Sequence, residues 1–517
     1  MVTNAVGREI PETIGNRQLR PFGGEFASTP QTAPFKTRKT EGLIKPGESK
    51  MLPDIKAAVK ATGLGDGMTI SFHHHFRDGD YIILKVLETI AEMGIKNLTL
   101  APSSLTDVHD PIIEHIKNGV VTRIESSGLR GELGKAVSEG ILKEPVVIRT
   151  HGDRYRAMQA GELNIDVAFL AVSSCDDYGN ANCSKGRNIC GSMGYAIGDS
   201  KFAGRVVLLT EELVAYPCNP ASIDQVDVDY IVQVDAIGDS DKIGKGAARV
   251  TRDPKQLKVA KNAAAVIEAS GLFENGFSVQ TGVGAVSIAV TQFLREKMIE
   301  KGIKAGFALG GISAATTALH EEGLIGKVLA VQSYDVVASA AVGNNPDHIE
   351  CDVGKYADIF NKGPVVNKLD IAILSALEMD TNFNCNIITG SNGEIRGALG
   401  GGPDSAASAK LTLMVMPLIR GRVPGIVDQV NTICTPGTTV AAVVTEYGTA
   451  VNPNRPDLYE KLKAAGLTLY TIHELKEMAE KLTGKPKPIK YNRDRIVALV
   501  EYRDGTVIDV IHQLIKE

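Results

Sequence analysis

The stretch NIDVAFLAVSSCDDYGNAN, residues 164–182, is matched in unbroken register by KLDIAILSALEMDTNFNCN, residues 368–386. Asp166, Asp176, Asn180 and Asn182 fall on Asp370, Asp380, Asn384 and Asn386. A repeat at this spacing is far longer than a solenoid unit, so it marks a duplicated domain. Two further matches agree. GMTIS at 67–71 aligns with GFSVQ at 276–280, and about one helix later each is followed by Gly-Ile-Lys, at 94–96 and 302–304. After that triplet comes an apolar run and a small-residue turn, NLTLAPSS in one half and AGFALGGIS in the other.

Within each half the periods alternate. VVIRT, DVAFLAV and RVVLLT are short β-branched runs of the kind that form buried strands, while Ile83, Val86, Leu87 and Ile90 recur at helical spacing. Asp78 or Asp80 is placed to cap that helix. Strand, helix and strand in succession predict crossover units and a mostly parallel sheet, with ligands at the carboxyl ends of the strands. The fold expected is α/β, built from two tandem, duplicated domains with mostly parallel sheets, at 46–245 and 246–517. Residues 1–45, rich in Pro, Gly, Thr and charge, precede them as an extended N-terminal arm. The polar stretch 238–258 leads from the first half into the second.

At 517 residues the chain exceeds one hydrophobic core, and 43% apolar with 23% charged residues fits soluble α/β domains. A net charge of -5 and a pI near 6.1 provide no basic field for nucleic acid or an anionic membrane. Seven cysteines without C-x-x-C spacing indicate neither a disulfide framework nor a zinc knuckle. With no signal-like N-terminus and no apolar run of spanning length, a cytoplasmic protein is expected.

Three turns could carry chemistry. SFHHHFRDGD, residues 71–80, stands where the second half has Gly282-Val283-Gly284 after its first strand, with His73 falling on Gly282. The most glycine-dense turn is Gly400-Gly401-Gly402-Pro403-Asp404. Glycines let backbone N–H groups approach an anion, although a tight turn needs the same residues.

These residues resemble the coenzyme A transferase family: the first strand with its G-V-G turn, the A-L-G-G-I-S turn at 308–313, G-G-G-P-D at 400–404, and the duplication itself. SFHHHFRDGD and the preceding arm are similar to the citrate lyase alpha chains within it. The resemblance implies exchange of acetyl for citryl on a carrier-protein thioester: acetyl-carrier and citrate give citryl-carrier and acetate. It implies as partners a beta chain that splits the citryl thioester and a gamma chain, the acyl carrier, in an oligomeric assembly. This chain is expected to bind no cofactor of its own, the thioester sitting on a phosphopantetheine-type, coenzyme A-derived group of the carrier.

Many members of that family use a glutamate nucleophile just after the second strand. Here that turn, GFALGGISAATTAL, has no carboxylate, and Glu274 in Glu274-Asn275-Gly276 precedes the first glycine-turn strand, so we read it as a turn residue. A carboxylate of citrate then attacks the acetyl thioester itself, giving a mixed anhydride that the carrier thiolate opens. Both steps pass through oxyanions, for which Gly400, Gly401 and Gly402 are the first candidate donors and Gly310 and Gly311 the second, with Gly282 and Gly284 on the binding side.

For the histidines, metal binding, packing and carboxylate recognition compete. Three adjacent imidazoles cannot readily share one ion, and no spaced partner accompanies them, so no metal site is expected. Alternation along a strand would put His73 and His75 on one side, beside Arg77, whose fork suits a carboxylate. Asp166 and Asp370 read as caps, and Arg130 and Arg149 as anion-binding candidates set against a solvated surface. The segment 474–495 reads as a helix and a basic loop. Two other functions fit the same features: a free-coenzyme A transferase with another carboxylate acceptor, and a non-catalytic scaffold subunit.

Overall fold

A computed structural model of the chain describes residues 1–27, 44–245 and 251–515. In chain order the strands of the first large sheet are β1 (Met51–Leu52), β2 (Thr69–Ser71), β3 (Leu98–Leu100), β4 (Val121–Ser126), β5 (Val146–Arg149), β6 (Val167–Val172), β7 (Arg205–Thr210) and β8 (Tyr230–Gln233). Those of the second are β9 (Ser278–Thr281), β10 (Ala305–Ile312), β11 (Ile325–Ser333), β12 (His348–Glu350), β13 (Ile371–Leu374), β14 (Leu411–Val415), β15 (Ala442–Val444), β16 (Thr449–Val451) and β17 (Leu469–Tyr470). A closing hairpin adds β18 (Tyr491–Glu501) and β19 (Val507–Leu514).

The spatial orders make the duplication explicit. The first sheet runs β19-β18-β5-β4-β3-β2-β6-β7-β8-β1 and the second β12-β11-β10-β9-β13-β14-β15-β16-β17. Strip the outer strands and both follow one path: the chain steps outward over four parallel strands, then returns to the other side of the first. The order therefore reverses beside β2 in one half and beside β9 in the other, and such reversals leave a crevice at the carboxyl ends of the strands.

The repeated acidic residues are structural. Asp166 Oδ2 accepts the Thr69 N–H at 2.8 Å, and Asp370 Oδ2 accepts the Ser278 N–H at 2.8 Å, each tying the start of the central strand to its neighbour. Asp176 and Asp380 each close a loop by accepting backbone N–H groups up to four residues on, together with the side-chain amide of Asn180 or Asn384. Ile83, Val86, Leu87 and Ile90 are buried on the helix Ile82–Glu92, and Asp80 supplies its cap by accepting from the Ile82 and Ile83 N–H groups. Arg149 belongs to a buried ion network with Glu125, Asp153 and Glu501 rather than to an anion site.

Three sequence expectations need correction. The last hairpin belongs by pairing to the first sheet, where β18 lies parallel to β5, so sequence order alone assigned it to the wrong half. The basic loop expected after the helix Ile472–Thr483 becomes strand from Tyr491. Within the arm, residues 1–27 form two small ladders, Val2–Thr3 with Glu9–Ile10 and Thr13–Ile14 with Arg17–Gln18. They lie on the closing hairpin: Ile10 and Leu19 pack on Leu499, Val507 and Val510, and the Asn4 amide donates to the Ile508 carbonyl at 2.8 Å. Short ladders of polar residues carry no period to read. Residues 28–43 of the arm, and 246–250 of the connection between halves, lie outside the described residues; the connection ends at Asp253, which caps the helix Pro254–Ala269.

One apolar cluster fills the first half and continues through Val331, Cys351, Tyr356, Leu374 and Met414 onto the second sheet. The two sheets thus share packing on the side where their strands end. All seven cysteines are free and buried, and among the described residues no helix is long and apolar enough to cross a membrane.

Candidate active site

A cavity of about 250 Å³ opens where the carboxyl ends of both sheets converge. After β2 come His74 and Arg77; after β9, Gly282, Val283 and Gly284; around the end of β11, Gln332 and Tyr334. Gly310 and Gly311 reach it from β10, and Gly400, Gly401 and Gly402 close one wall. Eight of the ten residues singled out from sequence therefore meet in one place: Arg77, Gly282, Gly284, Gly310, Gly311, Gly400, Gly401 and Gly402. The remaining two, His73 and His75, are not among its lining residues; His74 is.

The reason is local. The strand stops at Ser71, so alternation does not extend through the histidines. Residues 74–77 turn instead, with the Arg77 N–H donating to the His74 carbonyl at 3.0 Å. His73 is consumed by packing: its Nε2–H donates to the Ala171 carbonyl at 2.7 Å, and its Nδ1 faces His75 Nδ1 at 2.9 Å. His74 takes a hydrogen bond on Nδ1 from the Ser103 hydroxyl at 2.6 Å and donates from Nε2 to the Gln332 amide oxygen at 3.1 Å. Burial, and then the charges around it, hold His74 and His75 well below the ordinary imidazole range. His151 lies beside them, its ring against the Tyr195 hydroxyl, and burial followed by Arg154 and Arg77 lowers it to about 3. These imidazoles are neutral donors and acceptors near pH 7, and the cavity's positive charge comes from guanidinium groups.

Arg77 is held in a left-handed backbone conformation, φ 53°, which non-glycine residues adopt at a cost. Its guanidinium lies over the Tyr334 ring, 5.2 Å from the centroid, and its Nη2 is shielded from solvent with no hydrogen-bond partner in the protein. A buried guanidinium N–H without an acceptor is a vacancy for an anion's oxygen. Arg130, exposed at the start of the helix Gly131–Ser138, also lines the cavity. Among the described lining residues none is Asp or Glu. Glu274 is exposed in the loop before β9, at the opposite end of that strand.

The glycine wall has steric causes as well as chemical ones. A Cβ on Gly311 would collide with the Tyr334 ring, and one on Gly401 with the Tyr356 hydroxyl. Tyr356 receives the Gln280 amide at 2.9 Å and donates to the Gly401 carbonyl at 3.2 Å, which fixes the turn from behind. Gly400 accepts the His151 N–H on its carbonyl at 3.0 Å. A Cβ on Gly402 would meet nothing within 4 Å, so that position stays open toward the cavity. Beneath the wall, burial pushes Asp404 up to about 7 while it accepts from Gly152 and Thr150.

The family described as citrate lyase, alpha subunit (CitF) matches residues 48–514. The chain belongs to the citrate lyase alpha subunit family. A citrate lyase alpha chain of Escherichia coli K12 is 53% identical over 484 residues, 94% of each chain. A crystal structure described as the citrate lyase alpha subunit of Streptococcus mutans in complex with citrate is 52% identical, covers 99% of this chain and 100% of its own, and superposes with a TM-score of 0.96. A 4-hydroxybutyrate CoA-transferase from Porphyromonas gingivalis, 19% identical over 84% of this chain and 96% of its own, shares the fold at a TM-score of 0.54. The alpha-subunit architecture is thus a coenzyme A transferase-like one, with the cavity at the paired switch points.

Sequence reading missed His151, Tyr195, Tyr334 and Tyr356, all of which line the cavity. His151 opens the helix that begins one residue after β5, a strand-end position that the alternation of periods could have flagged. The three tyrosines arrive from segments whose proximity depends on how the halves pack, and no local spacing signals that.

Proposed function

We propose that this chain transfers an acyl-carrier thioester from acetyl to citryl, as the alpha chain of a multi-subunit citrate lyase, and that a carboxylate of citrate is the nucleophile. Family membership supports the substrate assignment. The observation that carries the chemistry is a cavity with the buried Arg77 Nη2 lacking an acceptor, a glycine wall, and no lining carboxylate among the described residues.

In this reading Arg77 orients the acceptor beside the acetyl thioester brought by the carrier's prosthetic arm, and His74, engaged by Ser103 and Gln332, holds the wall beside it. A citrate carboxylate oxygen attacks the acetyl carbonyl carbon. The tetrahedral oxyanion collapses with cleavage of the C–S bond, releasing the carrier thiolate and leaving a mixed citric-acetic anhydride. The thiolate then attacks the citryl carbonyl, the anhydride C–O bond breaks, and acetate departs. No net proton transfer is required. The N–H groups of Gly400–Gly402 and Gly311 are the candidate oxyanion donors, each worth roughly 3–4 kcal/mol by analogy with oxyanion holes of known effect.

The direct test incubates the purified chain with acetyl-loaded carrier and citrate and weighs the carrier by mass spectrometry. Conversion of acetyl-carrier to citryl-carrier supports the reading. Binding of both partners without transfer would favour a scaffold, and transfer from acetyl-coenzyme A to acetate without carrier or citrate would favour a free-coenzyme A transferase.

A further inference from the structure

Two guanidinium groups, Arg77 and Arg130, line the same cavity, and among the described residues neither forms an ion pair with a carboxylate. Three of the four buried arginines elsewhere in the described chain are paired with carboxylates: Arg149 with Glu125, Asp153 and Glu501, Arg154 with Asp199, and Arg156 with Asp153 and Glu162; the fourth, Arg503, donates to the Asp404 backbone carbonyl and the Ser408 hydroxyl. Arg77 and Arg130 thus bring two positive charges to one cavity with no carboxylate among its described lining residues. Gathering them is costly: burial, and after it the Tyr334 ring's partial relief, set the state of Arg77, and the Arg130 charge opposes it further. Like charges held close without a protein counter-ion favour a ligand that brings at least two negative charges.

The two groups are also placed differently. Arg77 sits at depth with its Nη2 sealed from solvent, whereas Arg130 is exposed at the start of the helix Gly131–Ser138. Their depths suit two carboxylates of one molecule rather than a single carboxylate gripped twice.

We infer that Arg77 and Arg130 form a two-point clamp for an acceptor carrying at least three carboxylates, the inner and outer groups being held and a third left unclamped to attack. This rests on the transferase reading for the attack but not for the clamp. A carboxylate locked in a fork of charge-assisted hydrogen bonds has its lone pairs occupied and is a poor nucleophile. An unclamped one keeps them. Arg130 thereby sets the preference for tricarboxylate over dicarboxylate acceptors: a dicarboxylate that fills both clamp points has no group left to react.

The test measures binding and transfer separately, at pH 8 where the carboxylates are ionised. Calorimetry on the full chain compares citrate, tricarballylate, glutarate and acetate in the unsubstituted protein and in Arg130→Gln. The expected result is a loss of roughly 30-fold in affinity for the first three and a change of less than about 3-fold for acetate. Transfer assays with acetyl-carrier should show a kcat for tricarballylate well above that for glutarate, with the ratio collapsing toward one in Arg130→Gln. Equal losses for acetate and citrate, or no loss for any acceptor, would overturn the clamp. The expected binding pattern in a protein that transfers nothing would uphold the clamp and refute the transferase reading.

Discussion

The Arg77 guanidinium stacks 5.2 Å from the centre of the Tyr334 ring, and the same ring occupies the space that a side chain at Gly311 would need. One tyrosine from the second half thus positions a cation supplied by the first half and dictates a glycine on β10. The stack leaves the Arg77 Nη2 pointing at no protein acceptor. Anion recognition and the glycine wall are therefore one mechanical unit.

Replacing Arg77 by Gln is expected to lower kcat/KM for citrate by roughly 100-fold or more, since a buried charge-assisted contact to substrate is lost. Arg77→Lys should recover little of it, because an ammonium has no fork and stacks poorly on Tyr334. Steady-state transfer assays with saturating acetyl-carrier check both variants; near-normal kinetics in Arg77→Lys would show that charge alone suffices.

Gly311→Ala forces a Cβ into the Tyr334 ring, whereas Gly402→Ala points one into open space. The first is expected to cost roughly 1–3 kcal/mol of stability through overpacking, and the second to leave stability unchanged. Denaturant unfolding of the two variants side by side measures the difference. A destabilised Gly402→Ala would mean that the wall is tighter than its geometry shows.

His73 and His74 should separate by readout. His73→Ala takes the imidazole donor from the buried Ala171 carbonyl, leaving it the weak Cys183 thiol donor at 4.0 Å, and is expected to cost roughly 1–3 kcal/mol of stability. His74→Gln keeps a polar group toward Ser103 and Gln332 and should mainly slow transfer, by roughly 10-fold or more. Unfolding and transfer measured on both variants decide the matter; transfer lost in His73→Ala at unchanged stability would restore the strand-alternation reading.

His151, lowered to about 3 in the folded chain against an ordinary value near 6.5, binds fewer protons folded than unfolded between those limits. Its contribution to stability is present above about pH 6.5 and is lost as pH falls toward 3. Between pH 7.5 and 5 that loss is about 2 kcal/mol. His151→Gln should therefore lose less stability over the same interval. Asp404, raised to about 7, contributes with the opposite sign, favouring the folded state at lower pH, so the comparison must be made between variants and not on the unsubstituted curve alone.

Much of the architecture was legible because duplication writes the same constraint twice. Asp166 and Asp370 make the same tie to a strand start, and the two G/H-containing turns end equivalent strands. Gly311 and Gly401 were legible too, because close approach to Tyr334 and Tyr356 leaves no room for another residue. The choice among the three histidines was not, since it depends on the strand ending at Ser71 and on where Ser103, Ala171 and Gln332 lie in space. Nor was the return of the closing hairpin to the first sheet, a pairing between segments at opposite ends of the chain. Arg130 stood between an anion-binding candidate and a solvated surface arginine, and only the packing of the halves places it on the cavity.

The central claim is that the nucleophile is a carboxylate of the substrate. It is tested most directly by mixing the chain with acetyl-carrier and citrate, quenching within a turnover into borohydride or hydroxylamine, and mapping any modified peptide by mass spectrometry. The account predicts an unmodified protein and trapped products derived from a citric-acetic anhydride. A reduced or hydroxamate-modified glutamate in the protein, at Glu274 or anywhere else, would contradict it.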